Sequence, residues 1–309
     1  MHRFVRLPDG TFDMGSDVAY PEEAPRHQRT VGAFRISEAP VTNLQFGRFV
    51  VDTGYLTIAE RHLSDSAGRG LPEELRGPGS VVFVPPNLGD DVGEGEWWRF
   101  VFGACWHAPL GPTSSIADKP DHPAVHIALA DAIAYCDWSG TRLPSEAEWE
   151  FAARSGHDSA AKFAWGDELM PSGRQMANHW LGEFPSNPAP NNLGTTSAVG
   201  AFPANELGIV DMIGNVWEWT DDWYADHGLR VAAHKAAGGG CAIASPRGAS
   251  RVDSIDTTSQ HGTNPRKVVK GGSFLCTPSY CRRYRPAARM AQGIDTSTCH
   301  MGFRCIVRS

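Results

Sequence analysis

The 309-residue chain has no C-x-x-C pair, no apolar run near the roughly 18 residues that span a bilayer, and no surplus of positive charge. Each absence excludes something. Without C-x-x-C, neither a thioredoxin-type redox motif nor a zinc-ribbon knuckle is present. Without a long apolar run, no membrane-spanning helix and no membrane partner are expected. The opening residues, MHRFVRLPDGTFDMGS, lack the apolar core and small-residue cleavage site of a secretory signal, so a cytoplasmic location is expected. A formal net charge of −7 and a pI near 5.9 argue against a nucleic-acid partner. No fixed-period repeat and no convincing linker occurs, so residues 1–309 are expected to form one domain. The seven cysteines (105, 136, 241, 276, 281, 299, 305) are odd in number, leaving at least one unpaired in a monomer. In a reducing compartment, two close cysteines bind metal or do chemistry more often than they cross-link.

What is present is glycine (33), proline (22) and tryptophan (10). Helix signals are few. Thr42 caps a predicted helix through VTNLQFGRFVVDTG, with Phe46, Phe49 and Val50 on one face and Gly54 past the end. HIALADAIAYCDWSG places Leu129, Ala132, Ile133 and Cys136 at helical spacing, with Gly140 as the stop. LPSEAEWEFAARSG carries an S-x-x-E capping box, Ser145 and Glu148, and an apolar face of Trp149, Ala152 and Ala153. Short apolar stretches, VVFV (81–84), KVVKGGSF (267–274) and GFRCIV (302–307), read as strands. Long loops (61–79, 86–96, 185–198, 225–265) dominate the rest. The fold class is therefore α+β, compact and loop-rich, with little regular structure.

Two polar clusters stand among large apolar groups: Asp211, Asn215 and Glu218 in DMIGNVWEW, and Asn178 and Glu183 in ANHWLGEFP. Carboxylate and amide oxygens suit Ca²⁺; the competing reading is turn chemistry, because no EF-hand spacing is present. KGGSFLCTPSYCRRYRPAAR (270–289) sets Cys276 and Cys281 five apart, a separation at which neither a strand nor a helix brings two side chains together. Thr277-Pro278-Ser279 between them is a turn-forming tripeptide that can fold the thiols face to face. Four readings remain open: buried structural cysteines, half of a zinc site, a redox pair activated by the neighbouring arginines, or a two-thiolate site for Cu(I).

GGSFLC…SYCRRYR…AAR…GFRC resembles the C-terminal signature of formylglycine-generating enzymes, the oxidases that activate sulfatases. LPDGTFDMGS, EEAPRHQRTV, PVTNLQFGRFV, GACWHAP, DHPAVHI, TRLPSEAEWEFAARSG, FAWGDE, NHWLGEFP and NVWEWT follow that family's order. The resemblance implies a fold distantly like that of C-type lectins. It implies oxidation of the cysteine of a C-x-P-x-R motif to Cα-formylglycine, with O₂ as co-substrate and a thiol reductant. The polypeptide partner is then an unfolded or nascent sulfatase, and the enzyme a monomer. Cu(I) would sit between Cys276 and Cys281. Ser273 and Tyr280 would line the site, with Trp217 packed near the substrate cysteine. Asp211, Glu218 and the carbonyls of Gly214 and Val216 match one calcium site. Asn178, Asn191 and the carbonyls of His179 and Leu193 match a second. The chain departs from the family pattern at Thr277, where His is usual, at Gln292 for Asn, and at Asn191 for Asp.

Arg282, Arg283, Arg285 and Arg289 form the densest basic run, read either as a groove lining or, for at least half of them, as ion-paired. His107, His126 and His300 are expected to be hydrogen-bonded structural residues, and Cys299 and Cys305 reduced and structural. Trp97 and Trp98 edge the cleft or pack in the core. Competing functions are copper–thiolate chemistry on another peptide or small thiol, or a non-catalytic lectin-like binding module. An iron-dependent sulfoxide synthase is disfavoured, because no H-x3-H-x-E motif occurs.

Overall fold

A computed structural model describes residues 2–62, 76–90, 92–156, 161–225, 242–244, 249–255 and 264–308. Along the chain run β1 (Phe4–Leu7), β2 (Gly10–Met14), β3 (His27–Val31), β4 (Phe34–Ser37), α1 (Asn43–Thr53), β5 (Gly79–Phe83) and β6 (Trp98–Phe102). Then come α2 (Leu129–Ser139), α3 (Glu146–Ala153), β7 (Gly182–Glu183), β8 (Asn187–Pro188), β9 (Trp217–Trp223), β10 (Ala242–Ala244), β11 (Arg266–Lys270), β12 (Arg289–Gly293), β13 (Met301–Gly302) and β14 (Ile306–Arg308). The strands make small sheets ordered β1-β4-β14, β10-β3-β2 and β12-β11-β9-β13, with hairpins β5-β6 and β7-β8. The expected α+β, loop-rich class is what these elements form.

The three helices begin and end where their caps require. Thr42 accepts from Gln45 N, Gln45 returns a bond to Thr42 N, and Gly54 takes the left-handed conformation that ends α1. Ser145 and Glu148 close the same reciprocal box on α3. In α2 one expectation fails. Ile133 is exposed, and the buried face instead carries Tyr135 and Asp131, whose carboxylate accepts from Ala128 N and Ile58 N. Tyr135 has the larger apolar surface and lies in an aromatic group with Phe46, Phe49 and Phe303, so it takes the inward position. Two strand expectations also shorten. KVVKGGSF ends at Lys270, because Gly271 and Gly272 turn to positive φ, and GFRCIV breaks at Phe303–Cys305 between β13 and β14.

Every residue of α3 is buried, its three glutamates included. An unpaired carboxylate there would be too costly, so each is matched. Glu150 meets Lys270 Nζ at 3.0 Å and Arg154 Nη2 at 2.8 Å, and accepts from Gly15 N. Glu146 holds Arg289 through Nε at 2.7 Å and Nη2 at 3.0 Å, with Lys270 3.7 Å away. Glu148 pairs with Arg308. Burial pushes the Glu150 carboxyl toward its neutral form, yet Lys270 and Arg154 hold it below the ordinary carboxylate range. The cluster ties α3 to the ends of β11 and β12, the two strands that frame the 271–288 loop.

Lys270→Met, which leaves Glu146 and Glu150 short of a counter-charge, is expected to cost about 3–5 kcal/mol in denaturant unfolding at neutral pH. Arg3→Ala, which breaks an exposed pair with Glu38, should cost under about 1 kcal/mol. A loss below about 1 kcal/mol for Lys270→Met would show that the cluster is not what holds β11 in place.

Candidate active site

The site starts where β11 stops. A Cβ on Gly271 would meet the Trp149 ring at 3.0 Å and Met212 O at 3.1 Å, and one on Gly272 would meet Arg283 O at 2.8 Å. The backbone therefore doubles back against residues 283–284 and lays 273–276 beside 281–283. Cys276 N donates to Ser273 O, Thr277 N to Cys281 O, and Cys281 N to Thr277 O, so Thr277-Pro278-Ser279 closes as the expected turn. It brings Cys276 Sγ and Cys281 Sγ to 3.2 Å.

The two thiols are unequal. Cys276 is buried and Cys281 half-buried. Cys281 is lowered to about 6, first by the S–H of Cys276 and then by Arg283, through its backbone N–H and its guanidinium, whose Nη1 lies 3.9 Å from the sulfur; burial opposes the shift. Cys276 moves well up, chiefly because burial disfavours its charged form and because its proton serves the neighbour. Both shifts run the same way: the proton is favoured on Cys276 Sγ and the negative charge on Cys281 Sγ.

Ser273 N donates to Cys276 Sγ at 3.4 Å, and Ser273 Oγ lies 3.2 Å from His300 Nδ1. Burial holds His300 at about 3, so it is a neutral hydrogen-bond partner. Trp217 belongs to the same core cluster as Cys276, and its N–H donates to His300 O. Tyr280 is half exposed and stacks on Phe184 at 4.7 Å, with Trp97 edge-on at 5.6 Å. Trp180, whose backbone N–H donates to Cys276 O, meets Phe184 edge-on and completes this aromatic wall. Trp98 packs on His300. Beyond Cys281 lies a cleft of about 680 Å³ lined by Ser16, Asp17, Tyr20, Lys162, Arg282 and Arg285 among others. Neither thiol lines it; Arg282, the residue after Cys281, does.

Most of the basic run is committed elsewhere: Arg283 to Glu22, Arg285 to Glu23 and Arg289 to Glu146. His126 is hydrogen-bonded to Ser80 Oγ and Pro109 O. Cys299 Sγ accepts from Phe83 N, and Cys305 faces Cys136 at 3.9 Å. Cys241 lies outside the described residues. Thr277 is buried inside the turn, and Gln292 pairs with Lys267 across β11 and β12. Motif reading missed Tyr20, Glu22, Phe184 and Trp180 as neighbours of the site, and His300 as the partner of Ser273. No spacing rule links these distant segments to the cysteine turn; only the fold does.

Two soft sulfurs with a thiolate already favoured fit a soft, low-coordinate cation such as Cu(I). Among the described residues no His, carboxylate or further thiol joins the pair to make a three-donor set. The first calcium set fits less well. Asp211 Oδ1 is a buried oxygen without a hydrogen-bond partner, and burial raises that carboxyl to about 6. Glu218, however, is the counter-ion of Arg304 (2.6 and 2.8 Å), and its Oε2 also accepts from Trp149 Nε1 at 2.7 Å. Gly214 and Val216 follow in the same buried stretch. In the second set, Asn178 turns its amide nitrogen to Thr195 O, beside buried His179, while Asn191 and Leu193 are exposed.

A loop-rich α+β fold presenting a close thiol pair beside a basic cleft is the class that fold and site define together. Residues 1–309 match the family model of the sulfatase-modifying factor enzyme 1-like domain, and the chain belongs to that family. It is 47% identical over 305 residues to a formylglycine-generating enzyme of Mycobacterium tuberculosis, covering 98% of this chain and 96% of that one. It is 38% identical to the Bos taurus formylglycine-generating enzyme, covering 98% and 74%. At 35% identity, covering 97% and 86%, stands a Bos taurus protein named inactive C-alpha-formylglycine-generating enzyme 2. Among solved structures, PvdO from Pseudomonas aeruginosa shares the fold, with a TM-score of 0.61, 23% identity and coverage of 98% and 93%.

Alkylation of the metal-free, reduced protein at varied pH tests the inequality of the two thiols. Cys281 is expected to react with an apparent pKa near 6, as thiolate above that pH, and Arg283→Ala to move the midpoint upward. A midpoint in the ordinary thiol range, about 8.5, in the wild type would remove the asymmetry.

Proposed function

We propose that the chain is an oxidase that converts the cysteine of a C-x-P-x-R motif in an unfolded or nascent sulfatase to Cα-formylglycine. The single observation that carries the reading is the 3.2 Å Cys276–Cys281 pair, in a turn that leaves Cys281 the more exposed of the two. Full-length similarity to proteins named formylglycine-generating enzyme supports it. The overall change, R–CH₂–SH + O₂ + 2 e⁻ + 2 H⁺ giving R–CHO + H₂S + H₂O, balances with a thiol as the two-electron donor.

The metal assigned to Cys276 and Cys281 is copper, and bound Cu(I) would supply a soft, electron-rich centre for the substrate thiol and for O₂. The chain's own residues arrange the rest. Cys276 lies on the buried side and Cys281 on the side open to an arriving peptide. Arg283 stabilises the negative charge on Cys281 and is itself fixed by Glu22 and by the Tyr20 ring 4.0 Å away. Ser273 Oγ is held by neutral His300, and so keeps one orientation beside the pair. The Trp97–Phe184–Tyr280 wall excludes water from one flank. The cleft past Arg282 offers room for peptide flanking the reactive cysteine. Calcium is assigned a structural part at Asp211, on its unpartnered oxygen; the Asn178 set, with Asn191 and Leu193 exposed, is the weaker of the two. A cytoplasmic, monomeric, single-domain enzyme completes the proposal.

A second reading, a binding module without turnover, is favoured by one finding, the similarity to a relative named inactive. Copper-loaded, reduced protein is expected to form aldehyde on a C-x-P-x-R peptide in air with a thiol reductant, read by mass spectrometry. Cys276→Ala and Cys281→Ala should each lower kcat/KM by more than about a hundredfold. Peptide binding without aldehyde, unchanged in both variants, would favour the binding module.

A further inference from the structure

A second group of metal-binding side chains lies away from the thiol pair. Glu60, Cys105 and His107 bring a carboxylate oxygen, a sulfur and an imidazole nitrogen within 4.8 Å of one another. Cys105 packs with Ala59 and Ala108 in a small cluster separate from the core that holds Cys276.

The local chain explains why they meet. Cys105 and Ala108 exchange backbone hydrogen bonds at 3.2 and 3.1 Å, so residues 105–108 form a tight turn. Trp106 is buried and packs edge-on against Phe46 at 5.3 Å, which anchors the turn to the core. Glu60 ends a short helical turn, Ile58–Glu60, and its Oε2 is held by Thr57 N at 2.9 Å and Thr57 Oγ1 at 2.6 Å. The other oxygen, Oε1, faces His107 Nε2 at 3.3 Å.

We propose that Glu60, Cys105 and His107 form a zinc-binding site, distinct from the thiol pair, that ties the 105–108 turn to the 57–60 turn. One nitrogen, one sulfur and one carboxylate oxygen are a set typical of zinc, and three protein ligands leave a fourth position for water. Two ligands of a tetrahedral zinc lie about 3.3–3.6 Å apart at ordinary bond lengths, and the imidazole–carboxylate separation already matches this spacing. Thr57 fixes the carboxylate, as supporting groups do around bound metals. The way in is from solvent: the His107 side chain is 52% exposed, Glu60 17%. The alternative occupant of the same geometry is a plain surface ion pair between His107 and Glu60.

Cobalt(II), a spectroscopic stand-in for zinc, separates the readings in reduced full-length protein. We expect one equivalent to bind with a sulfur-to-cobalt charge-transfer band in the near ultraviolet, and zinc to displace it and raise Tm. The band should survive Cys276→Ser/Cys281→Ser and vanish in Cys105→Ser. His107→Ala and Glu60→Gln, at sites with partly exposed side chains, should weaken affinity at least about tenfold and remove the zinc-dependent rise in Tm. These two variants decide the matter if Cys105→Ser does not fold. A band that follows the Cys276/Cys281 substitution, affinity unchanged by His107→Ala, or no band in the wild type each overturns the proposal.

Discussion

One buried ammonium group organises this molecule. Lys270 Nζ is fully inaccessible and lies between Glu150 and Glu146, with the Trp149 ring 5.8 Å away. A lone charge in that position would be expelled or neutralised, so the strand that carries it is held wherever the carboxylates are. Those carboxylates stand on a helix with a closed capping box at one end and Arg154, a partner of Glu150, just past the other. The end of β11 is therefore defined by charge pairing as well as by sheet hydrogen bonds. Gly271 and Gly272 follow at once, and their positive φ angles convert that fixed end into the loop bearing Ser273, Cys276 and Cys281.

The same logic runs on the far side of the loop. Tyr20, Glu22 and Glu23, some 260 residues away in sequence, meet Arg282, Arg283 and Arg285: the Tyr20 hydroxyl accepts from Arg282 N, and the two glutamates pair with the two following arginines. The basic run is thus mainly a clasp, and only Arg282 is left exposed at the cleft with no ion pair among the described residues. Because Glu22 also fixes Arg283, the clasp reaches the chemistry: it determines where positive charge lies relative to Cys281 Sγ. The opposite directions in which the two thiols shift follow from burial of Cys276 on one side, and from the Cys276 hydrogen bond and Arg283 at Cys281 on the other.

Local signals in the sequence were legible wherever the controlling interaction was local. Thr42, Ser145 with Glu148, and the glycines after α1 and α2 place three helices nearly to the residue, since caps act within one turn. The Thr277-Pro278-Ser279 turn was legible for the same reason. Ile133 was misplaced because periodicity alone does not say which of two neighbouring apolar residues faces a cluster of aromatic rings. The strand end at Lys270 was misread because Gly271 and Gly272 turn to positive φ, whatever the apolar content that follows. The partners of the site, Glu22, Phe184, Trp180 and His300, carry no motif of their own. They come together only when the chain is folded, so the resemblance pointed to the two sulfurs and not to the groups packed around them.

A fold shared down to 35% identity with a protein named inactive cannot by itself carry an activity. What would separate an oxidase from a binding module on this scaffold is local: two sulfurs 3.2 Å apart, with an arginine 3.9 Å from one of them that favours negative charge there. The same physical distinction sorts the metal sites. A pair of thiolates with no carboxylate in its donor set favours a soft monovalent ion, whereas the mixed oxygen, nitrogen and sulfur group at Glu60, Cys105 and His107 favours a borderline divalent one. On the two proposed assignments, donor chemistry would let one small protein keep a soft and a borderline metal apart, by ligand type rather than raw affinity.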